Sequence, residues 1–559
     1  MTSVSSARFL LKPLAGALLL ASLHAQAYQA GVPNSGTILQ QLQPVLPAAP
    51  QASRPALEIK TGDAPGLPAS APFQVKAIRI AGNAAFPAGT LHALVADAEG
   101  KTLTLPQLEQ LAGRITAYYQ AHGFPLSRAI VPAQTITDGQ VVLQVVEARY
   151  GAVRLNNGSQ VDEALLSATL APLQAGQPIA ESQLDRALLL LSDVPGVGVD
   201  ALIKPGAAVG AADLEVAASR RAQTWATLAL DNGGNRYIGR ARASATLFAL
   251  NPLRHGDILD AGVVSTGEGM QYGRIGYELL LNGAGTRAGA AYSMVRYKLQ
   301  DELEALDAHG SAGVATAWIK HPLVRGRGAN VYVQFEYDAK RLRDRVGTLD
   351  VRTDRRLGNW VLSLNGDARD DLLGGGVSVW SLGWTRGRNR FDDLDAEAAD
   401  AASAQTRGRY AKWNTNVSRL QGLGSNDALY LNLGAQWANA NLDSAEKMTV
   451  GGPYTVRAYD IGAVSGDTGY FGSVELRHQF GGGWQATAFA DTARVRINRH
   501  PWTASANAAR LSGAGLGLNW SGPGGWSANL SVATPIGAEP ALIGRPSSVR
   551  GWITAAKAF

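Results

Sequence analysis

The stretch Trp484-Gln485-Ala486-Thr487-Ala488-Phe489-Ala490-Asp491-Thr492-Ala493 decides the fold. Successive side chains of a strand point to opposite sides, so Gln485, Thr487 and Asp491 share one face while Trp484, Ala486, Ala488 and Ala490 share the other. A strand that is polar on one face and apolar on the other suits a barrel wall between a wet lumen and lipid. The run also holds one carboxylate, Asp491, in an apolar frame. Upstream, Val450-Gly451-Gly452-Pro453-Tyr454-Thr455-Val456-Arg457-Ala458-Tyr459-Asp460 places a cation, Arg457, within a glycine-bracketed turn. A guanidinium and a carboxylate shielded from water form a strong, directional pair, so Arg457 is expected to seek Asp491.

Runs of the same kind recur from Gln223 onward: Arg240 to Ala249, Val331 to Lys340, Ala428 to Trp437, Gly472 to Phe480, Gly483 to Ile497 and Ala514 to Trp520. Glycine, asparagine and aspartate turns separate them. Their length fits tilted transmembrane strands, which need about 9 to 11 residues. Residues 221–559, divided among sixteen strands, leave about 21 residues for each strand and its connection. The expected fold is mainly β, with a C-terminal transmembrane antiparallel β-barrel of sixteen strands. Tryptophans and tyrosines at strand ends, together with Phe559 and the export signal below, argue against a soluble β-sandwich or propeller.

Composition agrees. The 559 residues exceed one ordinary domain, and 64 glycines, 12 tryptophans, 16 tyrosines and only 17% charged residues favour short strands and turns over helical bundles. A net charge of +6 with scattered basic residues gives no case for nucleic acid. The lack of cysteine excludes disulfides, cysteine nucleophiles and thiolate metal sites. At the N-terminus, Arg8 and Lys12 flank an apolar run from Leu14 to Leu23, followed by Ala25-Gln26-Ala27. That pattern predicts a signal peptide over residues 1–27, with Tyr28 as the first mature residue. No stretch reaches the roughly 18 apolar residues of a membrane helix, so residence in a membrane requires a closed barrel.

Residues 28–43 include one predicted short helix, with Ser35 or Asn34 as its N-cap and Ile38, Leu39 and Leu42 on one face. The proline-rich residues 44–72 read as an extended linker. A helix on such a tether either docks at a distance or does nothing, and the sequence leaves both open. Residues 73–148 read as β-α-α-β-β: a strand from Phe73 to Ile80, a short helix over Thr90 to Ala96, and a longer one from Leu105 with Leu108, Leu111, Ile115 and Tyr118 on one stripe. Gly123 stops that helix, and strands Ser127 to Ala133 and Gln140 to Glu147 follow, joined through Asp138-Gly139. The same order recurs over 149–220, with helices near Val161 to Leu170 and Glu181 to Ser192. A repeat of about 75 residues suggests tandem small α+β domains rather than a solenoid.

At this point the residues carry a resemblance. The chain resembles the outer-membrane transporters of two-partner secretion, the TpsB family of the outer-membrane assembly-factor superfamily, from the signal peptide to Phe559. Gly123-Phe124-Pro125-Leu126-Ser127-Arg128-Ala129 through Val145-Val146-Glu147 resembles that family's first POTRA domain, and Pro195-Gly196-Val197 through Lys204-Pro205-Gly206 with Asp213-Leu214 its second. Leu230-Asp231-Asn232-Gly233-Gly234, Gly239-Arg240 and Asn251-Pro252-Leu253 resemble the opening barrel strands. Val456-Arg457-Ala458-Tyr459 resembles the Val-Arg-Gly-Tyr motif of the sixth extracellular loop, and Phe489-x-Asp491-x-Ala493 the Phe-x-Asp-x-Gly strand motif. Ala458 and Ala493 stand where the family has glycine. Ala458 leaves the tip geometry open if that position needs positive φ.

The resemblance implies a translocation pore in the outer membrane of a Gram-negative bacterium. Its two POTRA domains lie in the periplasm and take up an unfolded partner by adding it as a strand to a sheet edge. The barrel then conducts that partner, a secreted filamentous haemolysin, adhesin or toxin, without nucleotide hydrolysis. It further implies that the sixth loop folds into the lumen with Arg457 on Asp491, that residues 31–43 plug the resting pore, and that periplasmic chaperones and the barrel-assembly machinery serve its biogenesis. The alternative within the superfamily is a barrel-insertion factor; the linker, the preceding helix and two POTRA-like repeats favour secretion. A porin or adhesin leaves the tandem domains unexplained.

No cofactor, metal site or catalytic residue is expected. Gly100-Lys101-Thr102 mimics the end of a phosphate loop, yet Val95 stands where that motif needs glycine. Neither a His-Glu-x-x-His nor a Gly-x-Ser-x-Gly pattern occurs. His478 reads as a lumen or rim side chain, and Asp231 and Asp257 as strand terminators.

Overall fold

The computed structural model describes residues 32–42, 56–59, 68–540, 542–543 and 546–559. The expected signal peptide 1–27, Tyr28 and most of the linker 44–72 lie outside the described residues. One helix, α1 (Ser35–Gln41), precedes the folded units, with Asn34 rather than Ser35 as its N-cap.

The first unit comprises strand β2 (Phe73–Gln74), β3 (Ala77–Ala81), helix α2 (Ala88–His92), β4 (Thr102–Leu103), α3 (Leu105–Ala121), β5 (Arg128–Ile130) and β6 (Gln140–Val146). Thr104 caps α3 in a reciprocal arrangement with Gln107, Pro106 fits the first turn, and Gly123 at φ +85° takes the left-handed turn that ends it. Leu108, Leu111 and Ile115 are buried as the stripe predicts, but the next buried position is Tyr119, not Tyr118. Tyr118 is half-buried against the same core, and Tyr119, one i,i+4 step from Ile115, donates its hydroxyl to Glu147 at 2.9 Å. Helices cross between β3 and β6, so these strands pair in parallel, and the sheet order is β3-β6-β5.

The second unit contains β7 (Arg149–Gly158), α4 (Glu163–Leu170), α5 (Glu181–Ser192), β8 (Val197–Pro205) and β9 (Ala211–Arg220). Its sheet order is β1-β8-β9-β7, where β1 (Ala56–Ile59) comes from the expected linker. This departs from a patternless tether. The free edge of β8 offers unpaired N–H and C=O groups, and residues 56–59 satisfy them in parallel register with 200–203 while Leu57 packs on the domain core.

The remaining chain closes into an antiparallel barrel of sixteen strands, as the alternation predicts. They are β10 (Thr224–Asp231), β11 (Arg242–Leu250), β12 (Ile258–Ser265), β13 (Met270–Leu280), β14 (Arg287–Lys298), β15 (Ala308–Arg325), β16 (Ala329–Val346), β17 (Val351–Asp370), β18 (Gly376–Phe391), β19 (Gly408–Gly422), β20 (Asp427–Ala438), β23 (Thr468–Gln479), β24 (Trp484–Arg496), β25 (Ala508–Ser521), β26 (Trp526–Pro535) and β27 (Arg550–Ala558). The small hairpin β21 (Met448–Val450) with β22 (Val464–Gly466) lies outside the barrel ladder. Closure joins β10 to β27 over residues 227–231 and 554–558, a seam far shorter than the 18-residue strand β16.

The second unit sits against one end of the barrel. Arg325 pairs with Asp193 at 2.7 Å, Arg327 with Asp185 at 2.8 Å, and Arg186 donates to the Pro322 carbonyl at 3.0 Å. The opposite end carries the long extensions of β15 to β19.

Candidate functional site

Between β20 and β23 the chain does not stay at the rim. Residues 439–467 turn into the barrel, building a turn at Ser444–Glu446, the β21–β22 hairpin and the arginine turn. Gly451 and Gly452 both take φ +101°, and a Cβ on Gly451 would lie 2.3 Å from the Asp460 carbonyl oxygen, so this close turn requires glycine. Thr455 Oγ1 accepts from the Gly451 amide at 2.8 Å and steadies it.

At the tip, Arg457 and Asp491 stand in contact. The Asp491 carboxylate is buried and accepts from Arg457 Nε at 2.8 Å, Nη2 at 2.7 Å and the Arg457 amide at 3.1 Å. The first residue of the strand motif acts through its ring: Phe489 lies beneath the guanidinium, 3.4 Å from Cζ to centroid. Val456, Ala458 and Tyr459 are buried against Ala493, Val495 and Leu511. Ala458 does not take positive φ, so the departure from glycine carries no backbone strain. Room for its methyl comes from Gly513, where a Cβ would lie only 2.5 Å from the Ala458 Cβ.

Sequence reasoning missed the rest of this cage. Glu475 holds Arg457 Nη1 at 2.8 Å, and Ser473 accepts from Nη2 at 3.0 Å while donating to Asp491 at 2.8 Å. Both lie on β23, where alternation over Gly472 to Phe480 puts Ser473, Glu475 and Arg477 on one face; Ser473 is paired in register with Asp491. That signal was present in the sequence. Trp552 Nε1 donates to the Arg457 carbonyl at 2.7 Å, and Asp460 binds Arg550 at 2.6 Å and Arg240 at 2.8 Å. Asp460 therefore ties the loop to both sides of the β10–β27 seam.

A second set of ion pairs fixes the stem of the loop to the opposite wall. Buried Glu446 receives Lys340 at 2.7 Å, Lys412 at 2.9 Å and Asn359 at 2.8 Å. Asp443 binds Arg355 at 2.5 Å, and Arg355 continues to Asp344 at 2.6 Å. Helix α1 is seated on this same chain: the Ser35 amide and hydroxyl both donate to Asp344 at 2.8 Å, and Ser444 donates to Asn34 at 2.8 Å. Ile38 and Leu39 are buried among Met270, Val295 and Leu342. Burial of two such side chains contributes about 3–6 kcal/mol, enough to hold a short helix inside the lumen.

The groups weighed as catalytic candidates have other work. Asp231 pairs with Arg242 across β10 and β11 at 2.8 Å, and fully buried Asp257 accepts from the Leu253 and His255 amides and the Tyr277 hydroxyl. His478 meets Asp427 at 2.8 Å on an exposed rim.

The model of the haemolysin secretion/activation protein ShlB/FhaC/HecB family matches residues 210–520, and that of the ShlB-type POTRA domain matches 73–148. The chain is 25% identical over 446 residues to the heme/hemopexin transporter protein HuxB of Haemophilus influenzae (strain 86-028NP), covering 78% of this chain and 79% of that one. It is 22% identical over 417 residues to the outer membrane transporter CdiB of Dickeya dadantii (strain 3937), covering 70% and 69%. The solved structure of CdiB from Escherichia coli superposes with a TM-score of 0.69 over 96% of this chain and 98% of that chain, at 18% identity, a likeness of fold. The family match spans more than half of the chain and decides for secretion over barrel insertion. A barrel with periplasmic domains at one end and an inward loop thus has its place: this chain belongs to the haemolysin secretion/activation protein ShlB/FhaC/HecB family, the outer-membrane pores that secrete a partner protein.

Proposed function

We propose that the structure is the resting pore, closed twice over by α1 and by the inward loop, and that Arg457 on Asp491 is a conformational lock rather than a catalytic group. One observation carries this reading: Asp344, Arg355 and Asp443 form one continuous ion-paired chain joining the cap of α1 to the stem of the loop. Displacing α1 strips Asp344 of two hydrogen bonds, so release of the plug weakens the stem, and the two closures open together. The first POTRA-like domain spans 73–148, the second 149–220 and the barrel 221–559. Conduction needs no group of the chain to act on a bond, and folding of the passenger outside the cell supplies the direction of travel. Because β1 covers the β8 edge, the passenger is taken up on another sheet edge or displaces β1 first.

For the passenger, the relative named for heme/hemopexin matches 78% of the chain and makes a partner that handles heme or hemopexin the first class to test, with the toxin class second. Co-expression with the neighbouring large exported protein, scoring what appears outside the cell, tests the assignment; retention of every candidate partner inside a cell that inserts the barrel overturns it. The coupling of plug and stem is tested by planar-bilayer conductance of Asp344→Asn, whose openings should increase, and a closed-state conductance equal to wild type removes it.

A further inference from the structure

The outer wall of the barrel carries a charged feature that conduction does not use. On β16 to β19, Lys340, Arg355, Asn389 and Tyr410 point inward, where they bond Glu446, Asp443, Thr406 and Asn359. By alternation Arg341, Arg356, Arg386, Arg388, Arg390 and Arg409 point outward, and all are exposed. The register sets Arg341 opposite Arg356, Arg356 opposite Arg390, and Arg388 opposite Arg409. Like charges directly opposite each other destabilise a ladder. Only Arg356 has an acid of its own, Asp392 at 2.7 Å; among the described residues the other five make no hydrogen bond or ion pair. The acids on this face, Asp392 and Asp354, are taken by Arg356 and Arg345, so the other five are left without a countercharge.

Their height is fixed by aromatic residues. Tyr337, Trp360, Trp384 and Trp413 stand four positions nearer the barrel middle than Arg341, Arg356, Arg388 and Arg409 on the same outer face. Four residues span about 13 Å along a strand, or about 10 Å along the axis of a tilted barrel. An aromatic belt marks the boundary of the hydrocarbon, so the guanidinium groups lie among the headgroups of the leaflet remote from the periplasmic domains. All six arginines line an outward groove of about 920 Å³, and Gly313, Ala315, Ala339 and Gly358 form its small-residue side, with Tyr292 and Trp360 beside them. Small residues there leave room for acyl chain beside the wall.

We propose that this face binds a phosphorylated glycolipid of the outer leaflet, its headgroup phosphates on the arginine forks and its acyl chains in the groove. Arginine matches phosphate oxygens two at a time, and two anionic phosphates supply the countercharge that the array lacks. The bound lipid would brace the same strands whose inner faces hold loop residues Glu446 and Asp443.

The intact protein is reconstituted in phosphatidylcholine nanodiscs carrying bisphosphorylated lipid A, and lipid retention is read by native mass spectrometry. The variant Arg386→Gln, Arg388→Gln, Arg390→Gln, Arg409→Gln should retain lipid A about tenfold less, given the strength of hydrogen bonds to charged groups. Lysine at the same four positions should retain an intermediate amount. The pair Arg388→Gln, Arg409→Gln keeps the comparison open where the fourfold variant does not insert, heat-modifiable migration reporting insertion. Wild type should prefer lipid A over its dephosphorylated form and should keep it in inorganic phosphate. Equal retention by wild type and variants, indifference to dephosphorylation, or displacement by inorganic phosphate overturns the proposal, as does a variant that keeps lipid A and loses only surface-bound passenger.

Discussion

The Arg457 guanidinium is held by Asp491, Glu475, Ser473 and the Phe489 ring, and removing one member of a buried ion pair costs about 3–5 kcal/mol. Arg457→Ala should leave the barrel inserted and heat-modifiable while export of the partner falls sharply; normal secretion by that variant would remove the turn from the mechanism. In the exchange Arg457→Asp, Asp491→Arg, each single change should be worse than the double, with incomplete recovery because Glu475 then faces a carboxylate. The packing of Ala458 gives a separate test. Gly513→Ala forces two methyl groups together and should destabilise loop docking by about 1–3 kcal/mol, while adding Ala458→Gly restores it; limited proteolysis of the loop reads both. The pair Arg457 and Asp491 was legible because one cation and one carboxylate stood in apolar surroundings. Glu475 was equally legible from alternation, but Arg477 and His478 beside it made that face look like an ordinary polar wall. Gly513 was not legible, since its role depends on which residue comes to lie above it.

At the scale of elements, periodicity found the strands and the longer helices, including Glu181–Ser192 to the residue. Helix α1 has seven residues, well below the 12–15 at which isolated helices become even marginal, so its existence follows from docking more than from propensity. Deleting residues 31–43 should raise ion conductance in planar bilayers, and unchanged conductance would count against a plug. Strand β1 teaches the same lesson from the other side. Nothing in Ala56–Ile59 marks a strand against its proline-rich surroundings; the waiting edge of β8 makes it one.

For the whole molecule, the joint between the two periplasmic units is expected to weaken in acid. Glu147 follows β6 and precedes β7, and it accepts from the Ala84 and Ala85 amides at 2.7 Å each and from the Tyr119 hydroxyl. Burial pushes its carboxyl up, but those donors and Arg149 outweigh it and hold the group below its ordinary value. Its stabilisation is therefore present above the unfolded carboxyl value of about 4.3 and is lost as pH falls through the lower folded value. Hydrogen-exchange protection over residues 73–148 of the intact protein, taken relative to the intrinsic rate at each pH, should fall on acidification below about pH 4, and Glu147→Gln should be less protected at neutral pH with a flatter acid response.

By itself the sequence determined the barrel, its polar lumen face, the tandem α+β units and the arginine turn, because each rests on a period, a spacing or a turn residue that a short stretch of chain contains. The tertiary structure alone decided that α1 sits on Asp344, that Asp344, Arg355 and Asp443 link plug to loop, that linker residues extend a periplasmic sheet, and that outward arginines from four strands form one array. Those relations join residues far apart in the chain, and only strand register and barrel closure bring them within reach.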